Sequence, residues 1–190
     1  MTADHRPTGP GMLSPAAFPT VAIPLYDPER SSPEAIREWF ADSCPDGTTP
    51  SREPGSGVTM LPLGEVITAV RMSARLVHAA AGTEDPEELA AYLAETLRGP
   101  VIHDAAGDGR PYYVLTPHRD REWLLPADAA HLTAGTWLAI PDLDQRGPRA
   151  AHWVTPPRYP GDLCRIDHVC EFILQGLRGM APAAAEEGDR

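Results

Sequence analysis

Three short segments decide the fold of this chain: Pro111-Tyr-Tyr-Val-Leu-Thr-Pro117, Thr136-Trp-Leu-Ala-Ile-Pro141 and Ala151-His-Trp-Val-Thr-Pro156. Each is an aromatic and aliphatic run of strand length that ends at a proline. Aromatic and β-branched residues favour strands, and proline closes a strand because it has no amide hydrogen to donate. The three segments therefore predict one compact unit that contains a β-sheet.

Other apolar runs of similar length extend this sheet. Together they predict strands over residues 58–63, 65–72, 101–103, 112–116, 123–125, 136–140 and 152–155. An alternative for the second run is a helix that continues through residues 73–81. A glycine-rich loop at 104–110 joins the third and fourth strands, which predicts a hairpin.

Helices are indicated by start signals and apolar stripes. One helix is expected to begin at Ser32 and to end before Pro45, and another to begin at Asp85, because serine and aspartate cap helices. A third is expected over residues 162–178, with Gly179 placed to end it. Its predicted buried stripe comprises Leu163, Ile166, Val169, Cys170, Ile173, Leu174 and Leu177.

The fold class that follows is α+β, with a curved mixed or antiparallel sheet flanked by helices in a single domain. The domain is expected to span residues 32–179, because every strongly periodic segment lies there. Residues 1–31 are rich in proline, and residues 180–190 have no apolar stripe. Both ends are therefore predicted to be disordered.

Charge and composition exclude several classes of function. The formal net charge is −11 and all 16 basic residues are arginine, so binding to a phosphate backbone is disfavoured. No run of about 18 apolar residues is present, so no membrane span is expected. The sequence shows no secretion signal, and its three cysteines form no CxxC pair. A cytoplasmic location with free thiols is therefore expected.

Asp142 and Asp144 form a candidate metal site. They stand two residues apart after a predicted strand, and on a continuing strand both carboxylates would point the same way. Oxygen ligands in this arrangement suit a divalent cation. The alternative is a loop, because Pro141 precedes the pair and glycine and proline follow it.

Three arginines are candidate ligands for an anion. Arg119 and Arg121 belong to a dense charged run after Pro117, and Arg110 closes the glycine-rich loop. Guanidinium groups bind carboxylates and phosphates through paired hydrogen bonds. The alternative for the charged run is a solvated turn between two strands.

A third group of polar residues lies on predicted strands. His103, Tyr112 and His152 fall on facing strands and suggest a small-molecule enzyme. The sequence contains no P-loop, no dinucleotide fingerprint and no His-Glu-x-x-His motif. No cofactor is therefore expected.

The order of motifs resembles a known family. Ser32-Pro-Glu-Ala-Ile-Arg-Glu-Trp-Phe40, a proline-rich loop and Gly57-Val-Thr-Met-Leu-Pro-Leu-Gly64 resemble the start of bacterial primase–polymerase domains of the archaeo-eukaryotic primase superfamily, especially short actinobacterial members. In that family the next strand carries two metal-binding aspartates, and a later strand carries a histidine for the nucleotide phosphates. Here residues 66–72 contain no acid, and Pro111 stands where the histidine is expected.

The resemblance therefore implies the fold without the activity. The expected function is a non-catalytic primase–polymerase-like domain in protein interaction or regulation, with an unidentified protein or a second copy of the chain as partner. One alternative is a metal-dependent nucleic-acid or nucleotide enzyme that uses Asp142 and Asp144. The other alternative is the small-molecule enzyme with the histidine and tyrosine site.

Overall fold

The backbone follows the α+β class that the sequence predicts. In a computed structural model, the described residues are 31–45, 48–52, 57–119, 123–144 and 151–181. They form one domain whose helices are α1 (Pro33–Asp42), α2 (Ala74–Ala81), α3 (Pro86–Leu97) and α4 (Ile166–Met180). The strands are β1 (Ser51–Arg52), β2 (Val58–Pro62), β3 (Ile67–Met72), β4 (Val101–Asp104), β5 (Tyr112–Pro117), β6 (Ala129–Leu132), β7 (Trp137–Pro141) and β8 (Ala151–Thr155).

The strands are arranged in two sheets. One has five strands in the order β6-β3-β5-β4-β8, and the other has three in the order β1-β2-β7. All strand pairs among the described residues are antiparallel, which confirms the antiparallel form of the predicted sheet. The hairpin predicted from the glycine-rich loop is β4 followed by β5, with His103 opposite Tyr112.

The five-stranded sheet is the middle of three layers. Along β3, Val70 and Met72 belong to the apolar core under α2, α3 and α4, whereas Ile67 and Ala69 belong to the core beneath α1 and the three-stranded sheet. This alternation follows from the period of two in a strand, which turns successive side chains to opposite faces. All four of these side chains are almost fully buried, so both faces of this sheet are covered.

Side-chain caps explain where three helices begin. The Ser32 hydroxyl accepts a hydrogen bond from the amide of Ala35 over 3.1 Å at the start of α1. The Asp85 carboxylate accepts two such bonds at the start of α3. Both starts confirm the predictions, and such caps typically stabilise a helix by about 0.5–2 kcal/mol. Ser73 caps α2, which directly follows β3. The second apolar run therefore forms a strand and then continues into a helix.

Helix α4 differs from the prediction in its start, its end and its buried face. It begins at Ile166 rather than residue 162, and it continues through Gly179 to Met180. Leu174 is 53% exposed, while Phe172, which was not in the predicted stripe, is fully buried. The reason is that α4 packs closely along α2, so its inner face is centred on a line through Phe172 and Gly176.

Strand β6 is the second correction. Residues 123–125 were predicted as a short strand, but they have no strand structure. The strand lies instead at Ala129–Leu132, where it pairs with β3 along the edge of the five-stranded sheet. Its sequence, Ala-Ala-His-Leu, has no β-branched residue and no phenylalanine, tyrosine or tryptophan, so pairing with β3 rather than intrinsic preference makes it a strand.

Two predictions fall largely outside the described residues. Apart from Ser31, Met180 and Ala181, the proline-rich segment 1–31 and the tail 180–190 are not described. Among the residues that are described, no helix combines the length and the apolar character needed to span a bilayer.

Candidate functional site

A recess in the described part of the chain lies beneath α1. Its volume is about 260 Å³, and its apolar floor comes from Phe40 on α1, Leu61 on β2 and Ile140 on β7. Phe40 faces inward because it follows Ile36 by one helical turn, and its ring stacks on Trp153 at a centroid distance of 6.4 Å. We call this recess the α1 cleft.

The rim of the α1 cleft carries charges of both signs. Arg52 donates to a carboxylate oxygen of Asp142 over 2.7 Å. Arg37 lies 3.8 Å from Asp144 and 3.4 Å from Glu34. Because Asp144 is 90% exposed, the pair that it forms with Arg37 is screened by water and stabilises the fold little. The rim therefore presents paired charges of both signs that are open to solvent.

The two aspartates predicted as a metal site thus lie at the cleft in a different setting. Strand β7 ends at Pro141, so Asp142 and Asp144 lie in the following turn, as the loop alternative expected. Each carboxylate lies beside an arginine, Asp142 beside Arg52 and Asp144 beside Arg37. Within the described ranges, no three histidine, cysteine or acidic side chains come together in a way that could hold a metal ion.

Of the three arginines predicted to bind an anion, the two that are described lie apart. Arg110 precedes β5, is exposed and has a left-handed backbone with a φ of 47°. Arg119 follows β5, and its guanidinium carbon lies 5.4 Å from the centroid of the Trp123 ring. The six residues of β5 span about 20 Å, which separates these two arginines too far for one small anion. Arg121 lies outside the described residues.

The histidines and the tyrosine of the third prediction do come together. His103 on β4 lies directly opposite both Tyr112 on β5 and His152 on β8. The His103 and Tyr112 rings stack 4.3 Å apart, while the His103 and His152 rings meet edge to face at 5.2 Å. His78 on α2, which the sequence analysis did not identify, lies 3.2 Å from the Tyr112 hydroxyl through its Nε2. We call these four residues the histidine row.

The environment of His103 and Tyr112 favours their neutral forms. Burial, together with the neighbouring histidines, lowers the pKa of His103 to about 4, so its imidazole is neutral at pH 7. Burial also raises the pKa of Tyr112, with a smaller effect from Glu84. Tyr112 is only 4% exposed, so its hydroxyl is not open to a substrate from solvent. His103 can therefore supply a neutral imidazole nitrogen, which is the form that binds metal ions.

Comparisons with known proteins add no relatives. No family model, no curated protein and no solved structure matches this chain. The resemblance to primase–polymerase domains therefore stays a prediction.

Sequence reasoning missed the α1 cleft because its parts are distant along the chain. Arg52 and Asp142 are 90 positions apart, and Phe40 lies on a third element, α1. The sequence contained one hint of the cleft. Arg37 lies on α1, one turn before Ala41, and both residues line the cleft. Arg37 indicates a binding site only once β2 and β7 are known to be neighbours.

Proposed function

We propose that this chain is a non-catalytic binding domain whose α1 cleft takes one bulky apolar side chain from a segment of a partner protein. The observation that supports this is the combination of an apolar floor, formed by Phe40, Leu61 and Ile140, with a rim of paired charges. Apolar anchors that enter a pocket surrounded by polar groups are typical of protein interfaces.

The size of the cleft favours a side chain over a whole small molecule. Its volume of about 260 Å³ lies just below the range of about 300–1,000 Å³ typical of small-molecule sites. Burial of a leucine or phenylalanine side chain contributes about 1.5–3 kcal/mol. That free energy corresponds to a factor of about 10–100 in the dissociation constant, which is enough for a recognisable anchor.

The rim supports a binding role rather than metal-dependent catalysis. Arg52 donates to one carboxylate oxygen of Asp142, so a cation at that carboxylate would have to compete with a guanidinium group. Nucleotidyl transfer with two metal ions needs carboxylates that converge on the metals. Primer extension with Mn²⁺ that is lost on combining Asp142→Ala with Asp144→Ala would contradict the non-catalytic role.

Selection from a random peptide library displayed on phage tests the binding role. Ala41 is exposed and lines the cleft, so Ala41→Trp should fill it without disturbing the core. Selected peptides should share an aromatic or large aliphatic residue, and Ala41→Trp should weaken their binding about tenfold or more. The matched control is Ala91→Trp on the exposed face of α3, which should leave binding within about twofold. Equal losses in both variants, or peptides with no shared apolar residue, would overturn the proposal.

A further inference from the structure

We propose that His103 and His152 form a binding site for a divalent transition metal ion, with zinc or nickel as the ion. The two residues are direct neighbours across β4 and β8, and β8 is an edge strand of the five-stranded sheet. Side chains at directly opposite positions have Cβ atoms about 4.5–5.5 Å apart, so both imidazoles can reach one ion. Both side chains are half-buried rather than sealed in the core, so an ion can reach them from solvent.

The spacing of the two rings fits a shared metal ion. Zinc binds a histidine nitrogen at about 2.0–2.1 Å in tetrahedral geometry, which places two coordinated imidazole centroids about 5 Å apart. The centroids of His103 and His152 are 5.2 Å apart. Because the two rings meet edge to face, coordination requires reorientation of the His152 ring about its side-chain bonds, while the His103 ring stays stacked on Tyr112.

The neighbours of His103 hold its ring in place. Tyr112 stacks on that ring with an interplanar angle of 9°, and the Tyr112 hydroxyl is in turn within hydrogen-bonding distance of His78. A ring that is already ordered loses less conformational entropy when it binds a ligand. Imidazole nitrogens suit zinc, nickel and copper, whereas magnesium and calcium prefer oxygen ligands. The site should therefore distinguish between these two groups of metals.

Because the described part of the protein supplies only two ligands, the bound metal ion should exchange readily with solution. Among the residues whose structure is described, no third histidine, cysteine or acidic side chain joins the pair to complete a metal site. Water, or a donor from another molecule, would fill the remaining positions of a tetrahedral ion, as in sites that keep an open position. The pair also lies on the opposite face of the sheet from Ile102, which packs in the core beneath α1. The metal site and the α1 cleft are therefore independent of each other.

Calorimetric titration of the full chain, treated first with a chelator, tests this site. ZnCl₂ and NiCl₂ should each bind with one saturable ion per chain, while MgCl₂ should not bind. His152→Gln and His103→Phe should each weaken zinc binding about tenfold or more, because a single imidazole remains. His103→Phe keeps an aromatic ring for Tyr112 to stack on, so circular dichroism should show an intact fold.

The matched control is His118→Ala, which changes an exposed histidine far from the row. It should leave the zinc dissociation constant within about twofold of the unaltered chain. Zinc binding that persists unchanged in His152→Gln and His103→Phe would overturn the proposal. Absence of zinc binding to the unaltered chain at millimolar metal would overturn it as well.

Discussion

Single side chains tie distant parts of this molecule together, and Asp128 is the clearest case. Its carboxylate accepts hydrogen bonds from the Ser73 hydroxyl over 2.8 Å and from Arg75 over 3.1 Å, so it anchors the start of α2. Its backbone oxygen also accepts from the Ser73 amide. Sequence reasoning could place Ser73 at a helix start, but not its partner 55 positions away, because the contact exists only once β6 lies beside β3.

Asp128→Asn should therefore destabilise the protein at neutral pH. We expect a loss of about 0.5–1.5 kcal/mol in the free energy of unfolding, the usual contribution of a hydrogen bond. The Ser73 hydrogen bond, followed by Arg75, lowers the pKa of Asp128 below its ordinary value of 3.8 in the folded state. The carboxylate therefore contributes its stability above about pH 4, and that stability is lost as the pH falls through the folded value.

Urea titrations of the wild type and Asp128→Asn from pH 7 to pH 3 measure this effect. The difference in unfolding free energy between the two proteins should be constant down to about pH 4 and should shrink below it. Asp108→Asn, at an exposed carboxylate in the loop after β4, serves as the control and should change little at any pH. A difference for Asp128→Asn that grows as the pH falls would contradict this account.

Helices with a strong start signal could be predicted from the sequence. Strands that form only because a partner strand lies beside them could not. The caps at Ser32 and Asp85 act within three residues, so the local sequence contains the whole cause of each helix start. β6 depends on pairing with β3, about 60 positions earlier, and the local sequence does not encode it. Gly179 was expected to end α4, yet its role is to allow contact with α2: a Cβ there would lie 2.5 Å from the Ala79 carbonyl oxygen.

Gly176 allows a quantitative test of how closely α4 packs against α2. An added Cβ would lie 2.6 Å from the carbonyl oxygen of Leu76, so Gly176→Ala must push α4 away from α2. In an unobstructed helix, glycine to alanine stabilises by about 0.5–1 kcal/mol. Here overpacking should dominate, with a net loss on the order of 1–3 kcal/mol in the free energy of unfolding.

Denaturant titration decides the sign of this effect. The control is Ala91→Gly on the exposed face of α3, which should lose about 0.5–1 kcal/mol through helix propensity alone. A gain in stability for Gly176→Ala would mean that α2 and α4 do not approach each other as described.

At the scale of the whole molecule, the sequence predicts the α+β class but not the three layers. The three-stranded sheet is built from segments that are far apart, since β2 pairs with β7 across more than seventy positions. The α1 cleft exists only because of that pairing, so its site could not be predicted residue by residue. The histidine row was partly predictable, because His103, Tyr112 and His152 lie on strands that the apolar pattern indicates, whereas His78 comes from α2.

The central claim is that the α1 cleft binds a partner segment through an apolar anchor, and amide chemical-shift mapping tests it most directly. A selected peptide is titrated into the ¹⁵N-labelled full chain, and the shifts of assigned amides are followed to saturation. The account predicts the largest shifts at Phe40, Leu61 and Ile140, with little change at His103 on the other side of the central sheet. Shifts concentrated around His103, with the amides of the cleft unchanged at saturation, would contradict it.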